Sequence, residues 1–264
     1  MTAMELSAAW YDAIAVRSSQ RRYPATPLAA DVVSHLRSFC AAVQPSSGAR
    51  LVVVDSEVDR LFTGVLGSYG AVSGAELAVA FVGRVGSAAE VGYLGEAFVL
   101  EATSLGLGTC WIAGSFDKER AGALVKLVAG ERVMALTPVG SPLEHRPAGE
   151  RLMRRVMGAS ARLPLQKIAP GIDGSPSGGP AWPSWARAAV DAARLAPSGV
   201  NRQPWRFRYD ARGLVLSRAA KLYWTAPFDL GIAELHVELG AAHEGVRGRW
   251  EPLEEPDVAR FVPE

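Results

Sequence analysis

Residues 196–205 read APSGVNRQPW and form the most specific string in the chain. They follow a predicted helix, Trp185–Leu195, and precede a predicted hairpin, Arg206–Ser217, that turns near Asp210–Gly213. Two prolines, a serine, an asparagine and a glutamine crowd the exit of this helix. Such a segment can present backbone and side-chain hydrogen-bonding groups to a polar heterocycle. A purely structural turn is the alternative interpretation.

Around this string the chain divides into two halves that resemble each other. Residues 169–184 are rich in Pro, Gly and Ser and predict a linker between residues 1–168 and residues 185–264. HLRSFCAAVQPSSGARLVVVD in the first half and SWARAAVDAARLAPSGVNRQPWRFRYD in the second share the order helix, Pro-Ser turn, strand. YLGEAFVLEATSLG also resembles FDLGIAELHVELGA, with Leu94-Gly95 matching Leu230-Gly231. Two matches in one order favour duplication over a chance likeness of Ala- and Gly-rich helices.

Hydrophobic periodicity predicts the remaining elements and an α+β fold, in which a mostly antiparallel sheet is covered by helices. The predicted helices are Glu5–Val16, Asp31–Val43, Ala89–Ser104, a helix capped by Asp117 that runs to Val128, and Phe228–His243. The predicted strands are Leu51–Val54, Leu77–Val82, Thr109–Ala113 and Val133–Val139.

Composition excludes several classes of protein. The 264 residues carry 28 Lys and Arg against 27 Asp and Glu, so a strongly basic nucleic-acid face is not indicated. The longest apolar run, Leu77–Val82, is too short to span a bilayer, and no early cationic cluster indicates a signal peptide. Cys40 and Cys110 cannot make a disulfide framework or a four-cysteine zinc site. We therefore expect a cytoplasmic protein without a metal, a membrane partner or a nucleic-acid partner.

Two further motifs suggest chemistry. Residues 17–23 read RSSQRRY, and two arginines and two serines within five residues offer forked cations and hydroxyls to one anion, such as a phosphate. A solvated basic loop would look the same. Residues 106–114 read GLGTCWIAG and take the chain from a helix end into a strand, the reverse of the dinucleotide fingerprint. Gly114 could let a ligand ring approach the backbone, although a helix C-cap followed by a core strand is the alternative.

Together these motifs resemble the FMN-dependent nitroreductase family. The RSSQR loop resembles the family's phosphate-binding loop, residues 106–114 its flavin-facing strand, and residues 196–205 its Ala-Pro-Ser signature. Pro138-Val139-Gly140 and Arg162-Leu163-Pro164 resemble its last strand and a second phosphate-binding arginine. Ordinary members are homodimers with FMN at the subunit interface. Here each half keeps one part of the site, and the Pro-Ser turn of the first half has decayed to QPSSGA at residues 44–49.

The resemblance therefore implies a fused, two-repeat nitroreductase: a monomer with an internal pseudo-dimer and one FMN site between its halves. It also implies a role for each matching position. The FMN phosphate would contact Arg17, Ser19 and Arg162, with Ser18 and Arg21 helping; the flavin ring would contact Trp111, Ile112, Ala113, Gly114, Pro197, Ser198, Gly199 and Asn201; and its polar edge would contact Ser68 and Tyr69. Ala113 stands where many members have an acidic residue beside the flavin N5 contact.

The expected activity is hydride transfer from NAD(P)H through FMN to a flat, electron-poor acceptor such as a nitroaromatic or a quinone. No catalytic side chain is required of the protein. Three alternatives stay open: a flavin-sequestering protein, if the loop Asp55–Glu76 covers the ring; a flavin oxidase or desaturase; and an α/β binding domain without flavin. The four histidines form no metal motif, Cys110 is expected as a buried inert thiol, and Glu101 as a capped or half-exposed carboxylate.

Overall fold

A computed structural model describes residues 4–24, 26–43, 48–62, 72–143, 161–174, 181–221 and 223–264. Within these ranges the chain forms two four-stranded sheets, each with all its strand pairs antiparallel, and helices that pack on them. The α+β prediction is confirmed. The sequence predicts one sheet, and the structure divides its strands between two because the first four strands and the last four pair separately.

The first sheet has the order β1-β2-β4-β3. Its strands are β1 (Ala49–Val54), β2 (Leu77–Gly83), β3 (Gly108–Thr109) and β4 (Arg132–Gly140). The helices of this half are α1 (Ala8–Val16), α2 (Ala30–Ala42), α3 (Val58–Leu61), α4 (Ala88–Ser104), α5 (Lys118–Val125) and α6 (Leu165–Ile168). Every residue of β2 is buried, which suits a central strand between two others.

The second sheet has the order β5-β6-β8-β7, the same arrangement as the first. Its strands are β5 (Trp205–Asp210), β6 (Gly213–Arg218), β7 (Gly248–Pro252) and β8 (Asp257–Pro263). Helix α7 (Ser184–Leu195) precedes this sheet, and helix α8 (Ala226–His243) connects β6 to β7 as α4 connects β2 to β3. Each sheet also has a register shift between its two central strands. The shift lies at Phe81/Val82 where β2 pairs with β4, and at Leu216/Ser217 where β6 pairs with β8.

Helices α4 and α8 cross in close contact at two glycines. A Cβ on Gly92 would lie 2.1 Å from the carbonyl oxygen of Phe228, and a Cβ on Gly231 would lie 1.8 Å from that of Ala89. The contacts are reciprocal, since each glycine meets the residue three positions before the other. This is the pattern of a two-fold interface. By this symmetry Gly231 is the counterpart of Gly92, which lies three residues before the Gly95 that sequence comparison matches with Gly231.

Most predicted elements are present with ends within three residues of the prediction, and the exceptions have clear causes. The predicted strand Thr109–Ala113 pairs in β3 only through Thr109, and further along only Ile112 forms a bridge, to Leu136. Strands β7 and β8 were not predicted, because their polar and apolar residues do not alternate cleanly: β7 has no buried residue. Ala169 and Ile172, at the start of the predicted linker, are buried with α7 and β5.

No helix in the described part of the chain is both long and apolar enough to cross a bilayer.

Candidate functional site

The basic loop after α1 is attached to the edge strand of the first sheet. Ser19 forms a parallel bridge with Thr109, and the backbone N–H of Gln20 donates to the Thr109 carbonyl at 2.7 Å. The next residues are held as well, because the backbone N–H of Tyr23 donates to Ser73 O at 3.0 Å. The structure thus brings the predicted phosphate loop against the start of the predicted flavin-facing segment.

A buried carboxylate, Glu96 of α4, connects this loop to the second half. It accepts a hydrogen bond from Trp111 Nε1 at 2.8 Å, and its other oxygen lies 3.1 Å from His236 Nε2 and 3.9 Å from Arg17 Nε. Glu96 and His236 are fully buried. The Arg17 side chain is nine-tenths buried, and its Nε has no hydrogen-bond partner among the described residues. A buried guanidinium N–H of this kind favours an anionic ligand.

The geometry around His236 determines where one proton lies. His236 Nδ1 is 3.0 Å from the carbonyl oxygen of Ala192, which can only accept, so Nδ1 carries a hydrogen. Nε2 then either donates to an ionised Glu96 or accepts from a protonated one. In both cases the pair shares one proton across the contact between α4 and α8. The pair therefore holds Trp111 and the two helices in one arrangement.

Residues 111–114 leave the sheet and reach the surface. The Trp111 side chain is directed inward, with its ring centroid 4.6 Å from that of Phe81. Ile112 is buried, and its backbone N–H donates to Leu136 O at 2.9 Å, so the sheet uses that donor. Gly114 is exposed, and a Cβ there would lie 3.3 Å from Trp224 Cζ2. Trp224 belongs to the second half, so residues from both halves meet at Gly114.

The 196–205 segment is held in an unusual backbone conformation. Val200, Asn201 and Gln203 have φ values of 52°, 56° and 50°, which side-chain-bearing residues rarely adopt. Ser198 Oγ accepts from the backbone N–H of Gln203 at 2.9 Å. The backbone N–H of Gly199 donates to Asp229 Oδ1 at 2.9 Å. These side-chain contacts offset the cost of three left-handed residues, and such retained strain is typical of functional segments.

Arg162 and Asn201, 39 residues apart in the chain, meet in the folded structure. Arg162 Nη1 donates to Asn201 Oδ1 at 3.2 Å, and Asn201 Nδ2 donates to Ala161 O at 2.8 Å. Arg162 Nη2 donates to Leu195 O at the end of α7, at 3.2 Å. The predicted second phosphate arginine thus lies beside the predicted flavin-closing segment.

Asp229, in the first turn of α8, is a buried carboxylate that supports the same segment. It accepts from Gly199 and from Thr225 Oγ1, the latter at 3.2 Å. Burial raises the pKa of Asp229 to about 7, although the hydrogen bonds from Gly199 and Thr225 act in the opposite direction.

The structure therefore brings several of the predicted residues into two connected groups. Arg17, Ser19 and Trp111 are linked through Thr109 and Glu96, and Gly114 is linked through Trp224 and Thr225 to Gly199. Ser68 and Tyr69 lie outside the described residues, as does part of the Asp55–Glu76 loop. Cys110 is buried, and Glu101 accepts from Trp10 Nε1, as expected of a capped carboxylate.

Sequence reasoning missed Glu96, His236, Asp229 and Trp224. A signal existed for the first two: each is a polar residue within a helix that is otherwise apolar on most sides, and such a residue requires a buried partner. Asp229 and Trp224 carry no comparable signal, because their neighbours come from distant parts of the chain. No group of side chains suited to holding a metal ion occurs among the described residues.

Comparison with known proteins identifies the family of the chain. A family model described as "Putative TM nitroreductase" matches residues 9–241, which span both halves. The chain belongs to this nitroreductase family. Family membership supports a general role as an oxidoreductase. No curated protein matches the chain.

One solved structure shares the nitroreductase-like fold over nearly the whole chain. A "putative nitroreductase" from Thermotoga maritima MSB8 is 19% identical, with 96% of this chain and 93% of that chain covered and a TM-score of 0.64. A nitroreductase family protein from Clostridium novyi NT is 24% identical, with 51% of this chain and 86% of that chain covered and a TM-score of 0.42. An FMN-dependent nitroreductase from Clostridium difficile R20291 is 19% identical, with 52% and 89% covered and a TM-score of 0.42.

Proposed function

We propose that this nitroreductase family member is an FMN-dependent oxidoreductase that takes electrons from NAD(P)H and reduces a flat, electron-poor acceptor such as a nitroaromatic or a quinone. The observation that carries the proposal is Arg17: a buried guanidinium whose Nε lacks a hydrogen-bond partner among the described residues, on a loop attached to the predicted flavin-facing segment. A phosphate anion satisfies such a group.

The residues present fit FMN in their chemistry. Arg17, Ser18, Ser19, Arg21 and Arg162 would bind the phosphate, and the backbone around Gly114 would face the ring, where an exposed glycine allows close approach. Asn201 would close the site in contact with Arg162. When bound, FMN supplies the hydride-transfer chemistry, so the protein's tasks are to bind, orient and exclude water.

We further propose that the chain is a fused pseudo-dimer with one site between its halves, residues 1–168 and 185–264. The equal strand order of the two sheets and the reciprocal glycine contacts of α4 and α8 support this. A monomer in the cytoplasm, without nucleic-acid or membrane partners, follows as part of the same proposal. Two buried thiols, Cys40 and Cys110, suit a reducing compartment.

An anaerobic titration of the purified protein with NADPH tests the function. We expect a visible flavin absorbance band that bleaches as NADPH is added and returns with an electron acceptor. A band that does not bleach with NADPH or NADH would favour flavin storage, or an oxidase or desaturase that uses another donor. If no band appears even after FMN is added, the site assignment is wrong.

Two matched variants locate the phosphate site. Arg17→Gln removes the buried charge, and we expect its Kd for FMN to rise about 10- to 100-fold, the range for one charge-assisted hydrogen bond. Arg60→Gln is the control, because Arg60 is an exposed arginine that pairs with Glu57. Its FMN affinity should equal that of the wild type. Equal FMN affinity of Arg17→Gln and wild type would contradict the role of Arg17.

A further inference from the structure

An exposed indole lies at the edge of the proposed flavin site. Trp224 is 65% exposed, and it is the one aromatic residue among the large exposed apolar side chains of the described ranges. Its Cζ2 and Cη2 atoms approach to 3.3 and 3.7 Å of the position that a Cβ on Gly114 would take. The indole therefore lies close to the backbone of Gly114, and a side chain at position 114 would contact the indole. An exposed apolar side chain at the edge of a cofactor site is a candidate contact for a ligand when neighbouring residues extend it into a patch.

Two neighbouring segments complete a surface that we call the Trp224 ledge, formed by Val200, Arg202, Lys221, Tyr223 and Trp224. The segments are held together because Gly199 packs against Thr225 and because the Arg202 guanidinium lies 3.7 Å from the centroid of the Tyr223 ring. Arg202 also donates a hydrogen bond to the Tyr223 hydroxyl. Val200 is 56% exposed. The ledge thus presents apolar surface and a cation whose position is defined by stacking.

The charge of the ledge is positive. Within the described ranges, neither Arg202 nor Lys221 forms a salt bridge with a carboxylate, whereas the exposed Arg208, Arg212 and Arg249 each do. The Lys221 ammonium lies 6.0 Å from the Tyr223 centroid, on the same ledge. An exposed guanidinium held by stacking keeps its outer N–H groups for an anion, and its planar fork matches a carboxylate or sulfonate.

We propose that the Trp224 ledge binds the electron acceptor, and that this acceptor is a planar aromatic compound with a negatively charged substituent. Trp224 stacks on the aromatic ring of the acceptor, and Arg202 binds its negatively charged substituent. This proposal rests on the proposed function. It assigns substrate specificity to residues that are not among those proposed to bind the FMN phosphate. Trp224 serves neutral and anionic aromatic acceptors alike, whereas Arg202 distinguishes between them.

The kinetic test uses the holoenzyme, NADPH, and two acceptors of equal shape, 4-nitrobenzoate and neutral 4-nitrobenzamide. For Arg202→Gln we expect KM to rise about three- to tenfold for 4-nitrobenzoate, with KM for 4-nitrobenzamide and for NADPH within twofold of wild type. For Trp224→Ala we expect a rise of about five- to tenfold for both acceptors, which Trp224→Phe largely restores. Arg60→Gln is the control for loss of one exposed arginine.

Three outcomes would overturn the proposal. Arg202→Gln could raise KM for NADPH alone, which would assign the ledge to the donor. Trp224→Ala could leave both KM values unchanged while raising kcat, which would make the indole a cover over the site. Sedimentation could show a dimer that Trp224→Ala dissociates, which would make the ledge an interface between two copies of the chain.

A binding measurement separates this proposal from the proposed function. We expect 4-nitrobenzoate to quench tryptophan fluorescence of the wild type, and to quench Trp224→Phe much less at equal protein concentration, whether or not NADPH is oxidised. Quenching that depends on Trp224 without any flavin reduction would retain the ledge and reject the oxidoreductase. Equal quenching of the two proteins, in an enzyme that NADPH does reduce, would reject the ledge and retain the oxidoreductase.

Discussion

At the scale of single residues, Asp229 shows how one buried group can hold the segment that we propose closes over FMN. Its carboxylate accepts the backbone N–H of Gly199 and the hydroxyl of Thr225, while only 3% of the residue is exposed. Burial disfavours the charged form and raises the pKa to about 7 from an ordinary value of 3.8. The folded protein therefore keeps a proton on Asp229 at pH values where the unfolded chain has lost it.

This pKa shift predicts a specific pH dependence of stability. The pKa of Asp229 is higher in the folded protein than in the unfolded chain, so Asp229 does not lower the free energy of unfolding below about pH 4. The decrease grows between about pH 4 and 7 and stays constant at higher pH. Asp229→Asn keeps an oxygen for Gly199 but cannot ionise. Relative to the variant, the wild type should lose free energy of unfolding by up to about 4 kcal/mol between pH 4 and pH 8, measured by urea unfolding.

Glu131 provides a control of opposite sign. Its hydrogen bond with Arg50 lowers the pKa of Glu131 to about 2, so this carboxylate is ionised in both the folded and the unfolded chain above pH 6. Glu131→Gln should therefore destabilise the protein by the same amount at pH 6 and at pH 8. A difference between wild type and Asp229→Asn that does not change with pH would contradict the assignment of the raised pKa to Asp229.

At the scale of elements, the crossing of α4 and α8 depends on glycines because the two backbones approach so closely. The crossing lies beside the Glu96–His236 pair, which is located further along the same helices. Since residues 89–92 meet 228–231 and Glu96 meets His236, the helices run in the same direction. A shift of one helix would move Glu96 relative to Trp111 and Arg17, so this packing positions the proposed site.

A glycine substitution tests this packing. In Gly231→Ala the new Cβ would lie 1.8 Å from a backbone carbonyl oxygen, which cannot move aside as a flexible side chain can. We expect a loss of about 3 kcal/mol in the free energy of unfolding, together with weaker FMN binding. Gly122→Ala in α5 is the matched control, since its Cβ would meet only the end of the Leu127 side chain, at 3.1 Å. That variant should stay within about 1 kcal/mol of wild type. Equal stabilities of the two variants would show that the α4–α8 contact can relax.

At the scale of the whole molecule, each half has its own sheet, and α4 and α8 join the two halves. The first half carries the basic loop and Gly114, and the second carries residues 196–205 and Trp224. Neither half contains the complete set of residues proposed to hold FMN. A complete site within one chain is therefore the expected consequence of this arrangement.

The proposed internal pseudo-dimer predicts a specific combination of mass and stoichiometry. Sedimentation should give a single chain of 28.0 kDa, and flavin released on denaturation should amount to one FMN per chain. A dimer with one FMN for every two chains would contradict an internal site, because the site would then be shared between copies. A monomer that binds two FMN molecules would show that the repeats have kept two sites.

The amino-acid sequence by itself determined the local structure and contained the motifs from which we propose the site. Helix and strand periodicity, the turn residues near Asp210–Gly213 and the 196–205 string are properties of short stretches, so a single sequence reveals them. For the same reason, the phosphate-loop prediction named Arg17 and Ser19 without knowledge of their neighbours. The weak alternation of β7 concealed the last two strands, because an edge strand with no buried residue leaves no hydrophobic pattern.

Only the tertiary structure decided which distant groups meet. The contact of Glu96 with His236 spans 140 residues, and that of Asp229 with Gly199 joins a helix to a loop 30 residues before it. Their proximity results from helix packing, and the raised pKa of Asp229 results from burial, which depends on every neighbouring element. The correspondence of the two helices is also a tertiary property: the reciprocal contacts make Gly231 the counterpart of Gly92, whereas the repeated Leu-Gly dipeptide matches Gly231 with Gly95.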